Sequence, residues 1–123
     1  MSFNWKEFLD LAKYLKEKES SQYTKQSALR TSASRAYFAA YCQARKYASR
    51  KFGYTPGSDP FADHGNLRRF FQNKQMLQLA NHLNNLRLWR NRCDYDESID
   101  DLETLVKSSI KKAEYILSKT SNI

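Results

Sequence analysis

A chain of 123 residues with only three glycines and two prolines suits one compact domain and leaves little room for a second. No apolar run approaches the length of a membrane span, which argues against a membrane-spanning helix. The net charge of +8 is high for this length and points to an anionic partner.

In chain order, the polar segment Met1-Ser-Phe-Asn-Trp-Lys has neither the basic nor the apolar region of a signal peptide, so a soluble cytoplasmic protein is expected. Trp5, Phe8, Leu9, Ala12 and Leu15 recur at intervals of three and four, which predicts a first amphipathic helix over about 4–19. Ser21 or Thr24 can cap the element that follows. From there to Phe52 no Gly or Pro intervenes, and Gly53 supplies a C-terminal stop. A helix of roughly 25 to 30 residues spans on the order of 40 Å and forms the backbone of the domain. Its middle, Ser32-Ala-Ser-Arg-Ala-Tyr-Phe-Ala-Ala-Tyr-Cys-Gln-Ala, mixes small residues with aromatics. A helix apolar or small on nearly every side is covered on more than one face, by its own bundle or by a second subunit.

Tyr54-Thr-Pro-Gly-Ser-Asp-Pro is rich in turn formers and reads as a loop. Asp63 is placed to cap a short helix carrying Leu67, Phe70 and Phe71 and ending near Asn73. Met76, Leu79, Leu83 and Leu86 define the next long helix. Ser98 with Asp101 resembles a capping box before a final helix whose stripe is Leu102, Leu105, Val106, Ile110, Ala113 and Leu117. No repeat and no convincing strand interrupts this pattern. The expected fold is all-α, an antiparallel bundle of four or five helices in a single domain spanning residues 1–123. Cys42 and Cys93 fall inside helical patterns without metal-ligand spacing and read as free buried thiols.

The charge is unevenly placed. Residues 20–58 hold seven Lys or Arg and no acid, and residues 64–93 hold six and no acid, whereas Asp94 to Glu103 contains six acids and no base. Clustered cations are rewarded by phosphate attraction and counterion release, so RNA is one natural partner. Basic helices lying against the acidic segment or simply solvated account for the same pattern.

The sequence carries no Walker loop, dinucleotide-binding glycine turn, nucleophile elbow or zinc-binding His-Glu-x-x-His. His64 and His82 are the only histidines and read first as structural or surface residues; no metal and no cofactor is expected. What stands out is Leu86-Arg-Leu-Trp-Arg-Asn-Arg-Cys-Asp-Tyr95, where Arg90 continues the stripe of Leu79, Leu83 and Leu86. A long cation on an apolar stripe needs a reason. Asp94, four residues on, offers an intrahelical ion pair, and Tyr95 reads as a helix-end aromatic.

Ser34-Arg-Ala-Tyr-Phe-Ala-Ala-Tyr in a long helix, then Asp63-His-Gly with Phe70 after it, then Leu86 followed by Arg90-Asn-Arg-Cys-Asp-Tyr95, resembles the HEPN family of all-helical domains. The resemblance runs from about Ala28 to the final helix and rests on the order and spacing of all three segments. It implies a metal-independent ribonuclease site, built in the cleft of a homodimer from an arginine, a polar residue and a histidine four to six positions after the arginine. Arg90 and Asn91 fit that pattern, and Tyr95 stands where the histidine belongs.

Cleavage of RNA without metal requires the ribose 2′-hydroxyl to lose a proton, the phosphorane to be stabilised and the 5′-oxygen to gain a proton. Arginine suits the second task, and histidine the first and third. Tyrosine, with a reference pKa of about 10, is a poor base, so turnover by Arg90, Asn91 and Tyr95 is expected to be weakened or lost. His64 is the auxiliary imidazole if it reaches the helix end, with Asp94 as a second auxiliary group. Arg35, Arg87 and Arg92 are the expected phosphate-binding residues, Arg35 being equally placed to pair with Asp94. The resemblance also implies an alternative, a non-catalytic subunit that binds nucleotide or pairs with a minimal nucleotidyltransferase in a toxin–antitoxin arrangement. The nucleotidylated tyrosine of some family members has no counterpart, because Glu97 occupies its place.

Overall fold

The computed structural model describes residues 3–121, which form five helices. These are α1 (Lys6–Glu17), α2 (Lys25–Phe52), α3 (Pro60–Asn73), α4 (Leu77–Tyr95) and α5 (Leu102–Thr120). The all-α bundle expected from the periodicity is what the chain adopts, with five helices. No helix among the described residues is long and apolar enough to cross a membrane.

Helix α2 is the centre of the bundle, and α1, α4 and α5 all pack on it. Its ends are fixed by the residues that the sequence marks. Thr24 Oγ1 accepts the Ser27 amide at 3.1 Å. Gly53 turns left-handed at φ 72°, a conformation without steric penalty for glycine, so that the amides of Gly53 and Tyr54 reach the carbonyls of Ser49 and Ala48 at 3.1 and 3.2 Å. Between these caps Ala33, Ala36, Ala40 and Ala44 are fully buried, and their small side chains let neighbouring helices come close. Ser32, also buried, donates its hydroxyl to the Ala12 carbonyl of α1 at 2.6 Å. The chain's own helices therefore cover α2 on several sides. Cys42 and Cys93 are buried free thiols, and burial pushes Cys93 up to about 11.

Two capping expectations are corrected. Helix α3 begins at Pro60, and Asp59 caps it by accepting the Phe61 amide at 2.9 Å. Proline at the first helical position has no amide to leave unpaired, which fixes the start there. Asp63 thus lies inside the helix and is buried. The Ser98–Asp101 capping box does not form: Asp101 is itself the residue preceding α5, left-handed at φ 56° and without a side-chain cap.

The C-terminus of α4 is held by a residue from α2. The Arg30 guanidinium donates to the carbonyls of Cys93 at 2.8 Å, Asp96 at 2.6 Å and Glu97 at 3.2 Å. A helix end presents orphan carbonyls and a partial negative charge, and a cation bonded to both is well placed there. Arg30 therefore fixes the end of α4 that carries Arg90, Asn91 and Asp94. Replacing it, Arg30→Ala should lower the unfolding free energy by about 2 kcal/mol, the range for hydrogen bonds from a charged donor. Urea denaturation should show this as a lower midpoint at unchanged slope; a loss under about 0.5 kcal/mol would mean that water serves those carbonyls equally well.

Candidate functional site

Helix α4 buries Leu79, Leu83, Leu86 and Cys93, and Arg90 lies on the same face between the last two. Its long aliphatic stem allows it to occupy that stripe, and its guanidinium finds partners that an apolar residue would not need. The guanidinium carbon sits 5.1 Å from the Phe38 ring centroid and 5.9 Å from that of Tyr37, both on α2. These are cation–π distances, strengthened where water is excluded.

Nε of Arg90 lies 2.8 Å from Oδ2 of Asp94, with the two side chains 24% and 31% exposed. That approach is an ion pair without hydrogen-bond alignment, because Nε is buried and has no hydrogen-bond partner among the described residues. Asn91 accepts from another arginine nitrogen at 3.3 Å. Arg87, one turn earlier, also has a buried Nε without a partner, although its terminal nitrogen donates to Asn84 Oδ1 at 3.2 Å.

The same two α2 rings meet His64 of α3. The His64 ring stacks on Tyr41 at 4.0 Å and 14°, lies 5.6 Å from Tyr37, and its Nδ1 is hydrogen-bonded to the Tyr37 hydroxyl. Beside it Asp63 is 1% exposed and accepts from the hydroxyls of Tyr41 and, at 2.6 Å, Tyr54. Both oxygens of this buried carboxylate are thus served by phenols, as a buried acceptor requires. Burial pushes Tyr37 above its ordinary value, and burial with the Asp63 hydrogen bond does the same for Tyr41 and Tyr54. Burial also lowers His64, opposed by Asp63 and reinforced by Arg90, Arg68 and Arg45. Tyr37 therefore keeps its proton, and its hydroxyl engages Nδ1 of the imidazole.

A polar cleft of about 280 Å³ opens between α3 and α4, lined by Arg68, Arg69, Gln72, Asn81 and Asn84. Burial and the nearby Arg87 charge lower Arg68 from its ordinary value. Arginine stays charged regardless, so crowding of this kind is relieved by an anion. Of the carboxylates near this cluster, Asp94 is paired with Arg90 and Asp63 is committed to the tyrosines. The α2–α3–α4 surface is consequently rich in cations with few counter-charges. Among the described residues no three His, Cys, Asp or Glu side chains gather as a metal site.

The residues singled out in the sequence divide into three groups. Arg90, Asn91, Asp94, Arg87 and His64 gather around the rings of Tyr37 and Phe38 or on the adjoining face of α4. Arg35 joins their edge, 5.1 Å from the Phe38 centroid and 4.8 Å from that of Phe8; among the described residues it pairs with no carboxylate, Asp94 being taken by Arg90. Tyr95 and Arg92 lie apart. Tyr95 is 76% exposed, and five residues after Arg90 it is turned about 140° around the helix. Arg92 is exposed and pairs with Asp96 at 3.5 Å. The residues missed in the sequence are Asp63 as a buried acceptor, its partners Tyr41 and Tyr54, and Arg68. Tyr37 and Tyr41 one turn apart on α2, with Tyr54 just after it and an Asp-His pair following, were the available signal.

Comparisons with protein-family models, curated proteins and solved structures return no match to this chain.

The depressed His64 has a consequence for stability. Its folded value lies below the ordinary 6.5, so the unfolded chain binds the proton more readily in that window. Stability is then full above about pH 7 and declines as pH falls through 6.5 toward the folded value. His82, lowered by burial and by Lys112, acts in the same direction. In urea titrations, His64→Gln should flatten the fall in midpoint between neutral and mildly acid pH, leaving the His82 part. An unchanged pH profile would show that His64 titrates alike in both states.

Proposed function

We propose that this chain is a HEPN-type helical protein that binds RNA through the guanidinium cluster of α2, α3 and α4. The observation that carries the proposal is the convergence of the Arg68, Arg87 and Arg90 guanidinium groups around Tyr37, with Asp94 the one carboxylate paired with any of them among the described residues. Partly desolvated cations with so few counter-charges gain from an incoming anion, and a phosphodiester supplies that negative charge. Guanidinium groups also match phosphate geometry through paired N–H donors. The order of the three sequence segments and the five-helix bundle support the family reading.

The arrangement favours binding over cleavage. Tyr95 faces away from Arg90, and His64 has its Nδ1 engaged by the Tyr37 hydroxyl and its ring stacked on Tyr41. Arg90 and Asn91 then contact phosphate without an acid or base supplied by Tyr95 of the same chain. A homodimer is part of the proposal, with the exposed Leu88, Arg92 and Tyr95 forming one outward strip of α4. A second reading, a subunit that pairs with a minimal nucleotidyltransferase, is favoured by one observation: the acidic connection at Asp96, Glu97, Asp100 and Asp101 is exposed beside Tyr95 and suits a basic partner surface.

Arg90→Ala should weaken binding of a single-stranded RNA by about 10- to 100-fold, the equivalent of losing one charge-assisted contact, with the helical circular dichroism spectrum retained. Tyr95→Phe should bind as the parent does. Unaltered affinity in Arg90→Ala would refute the site. RNA cleavage in the presence of a chelator that Arg90→Ala abolishes would replace binding by ribonuclease activity.

A further inference from the structure

Helix α2 carries a second set of cations that the guanidinium cluster does not use. Two adjoining cavities, of about 530 and 370 Å³, lie along α1 and the C-terminal half of α2 and share Lys46 and Arg50 as lining residues. The larger is bounded also by Lys6, Lys13 and Glu114, and the smaller by Phe3, Trp5 and Arg45. The lysines of α1 are neutralised, Lys6 by Asp10 at 3.2 Å and Lys13 by Glu114 at 3.0 Å. Arg45, Lys46 and Arg50 pair with no carboxylate among the described residues, although the first two are half-buried. A partly desolvated cation without a counter-charge gains from an incoming anion.

Aromatic rings stand beside these cations. Phe3 is 42% exposed and meets Trp5 edge-on at 4.9 Å and 67°, and Trp5 in turn contacts Phe8 at 5.7 Å. Exposed rings held by other rings, flanked by unpaired cations, are what a single-stranded nucleic acid needs: a stacking surface for a base and positive charge for its phosphates. A duplex hides its base faces and would leave Phe3 unused. Arg45 also lies 5.3 Å from the centroid of Tyr41, the ring on which His64 stacks, so this surface and the guanidinium cluster meet along α2.

We infer that the face formed by Phe3, Trp5, Arg45, Lys46 and Arg50 is a second contact surface for single-stranded RNA, continuous with the first. The class of ligand rests on the RNA-binding reading above, whereas the residues are independent of it. The chain has two tryptophans, so Trp89→Phe leaves Trp5 as a local reporter. In that background a short oligouridylate should quench Trp5 fluorescence saturably. Lys46→Glu with Arg50→Glu should weaken the quenching titration by about tenfold or more, while Arg90→Ala should still show quenching at saturating RNA. Arg50→Glu alone, at an exposed position, provides the same comparison with a smaller effect if the double variant does not fold.

RNA binding that depends on Arg90 but leaves Trp5 fluorescence unchanged overturns this surface alone. Quenching that is insensitive to the charge reversals, or that phosphatidylserine vesicles produce and RNA does not, also overturns it. Trp5 quenching together with binding indifferent to Arg90→Ala overturns the first site and keeps this one.

Discussion

The Arg90 guanidinium against the rings of Phe38 and Tyr37 is the contact on which the rest of the site depends. It places a cation on the buried stripe of α4, where leucines precede it and Cys93 follows. An unpaired charge there would be expensive, and three features offset the cost: the two π faces, the Asp94 carboxylate at 2.8 Å, and partial access to solvent. Asp94 takes the Nε side of the group, which leaves the terminal nitrogens with Asn91 as their one hydrogen-bond partner among the described residues. The arginine is thus held firmly and remains open to one more acceptor, which is the condition of a preorganised anion ligand.

That geometry exists because α2 is fixed from both ends and from several sides. Its alanines let the surrounding helices close in, and its aromatics then form a floor shared by Arg90 and His64. Arg30 reaches from the same helix to the last carbonyls of α4, so the element that carries Arg90 is aligned by the element that supplies its rings. The phenol network around Asp63 does the equivalent for α3. It satisfies a buried carboxylate internally and so keeps that negative charge from neutralising the neighbouring arginines.

Much of the scaffold was legible because its determinants are local. Thr24 and Gly53 mark the ends of α2, the leucine spacing marks the inner face of α4, and the Arg90–Asp94 pair follows from a separation of four. Pro60 was enough to place the start of α3 and to make Asp59 the cap in preference to Asp63. The position of Tyr95 was also readable in principle, since five residues along a helix carry a side chain well away from Arg90. What spacing does not disclose is pairing across the chain. The Tyr37–His64 and Tyr41–Asp63 bonds join residues 27 and 22 positions apart, and Arg30 reaches carbonyls 63 to 67 positions away. Such contacts follow from how the helices pack, which no local pattern encodes.

The central claim is that the guanidinium groups of Arg87 and Arg90 bind a phosphodiester. Arginine side-chain nuclear magnetic resonance reads those groups individually. On titration with a short single-stranded RNA, the Nε–Hε signals of Arg87 and Arg90 should move to new, saturating positions. If both signals stay in place while the RNA binds elsewhere on the protein, the account is wrong.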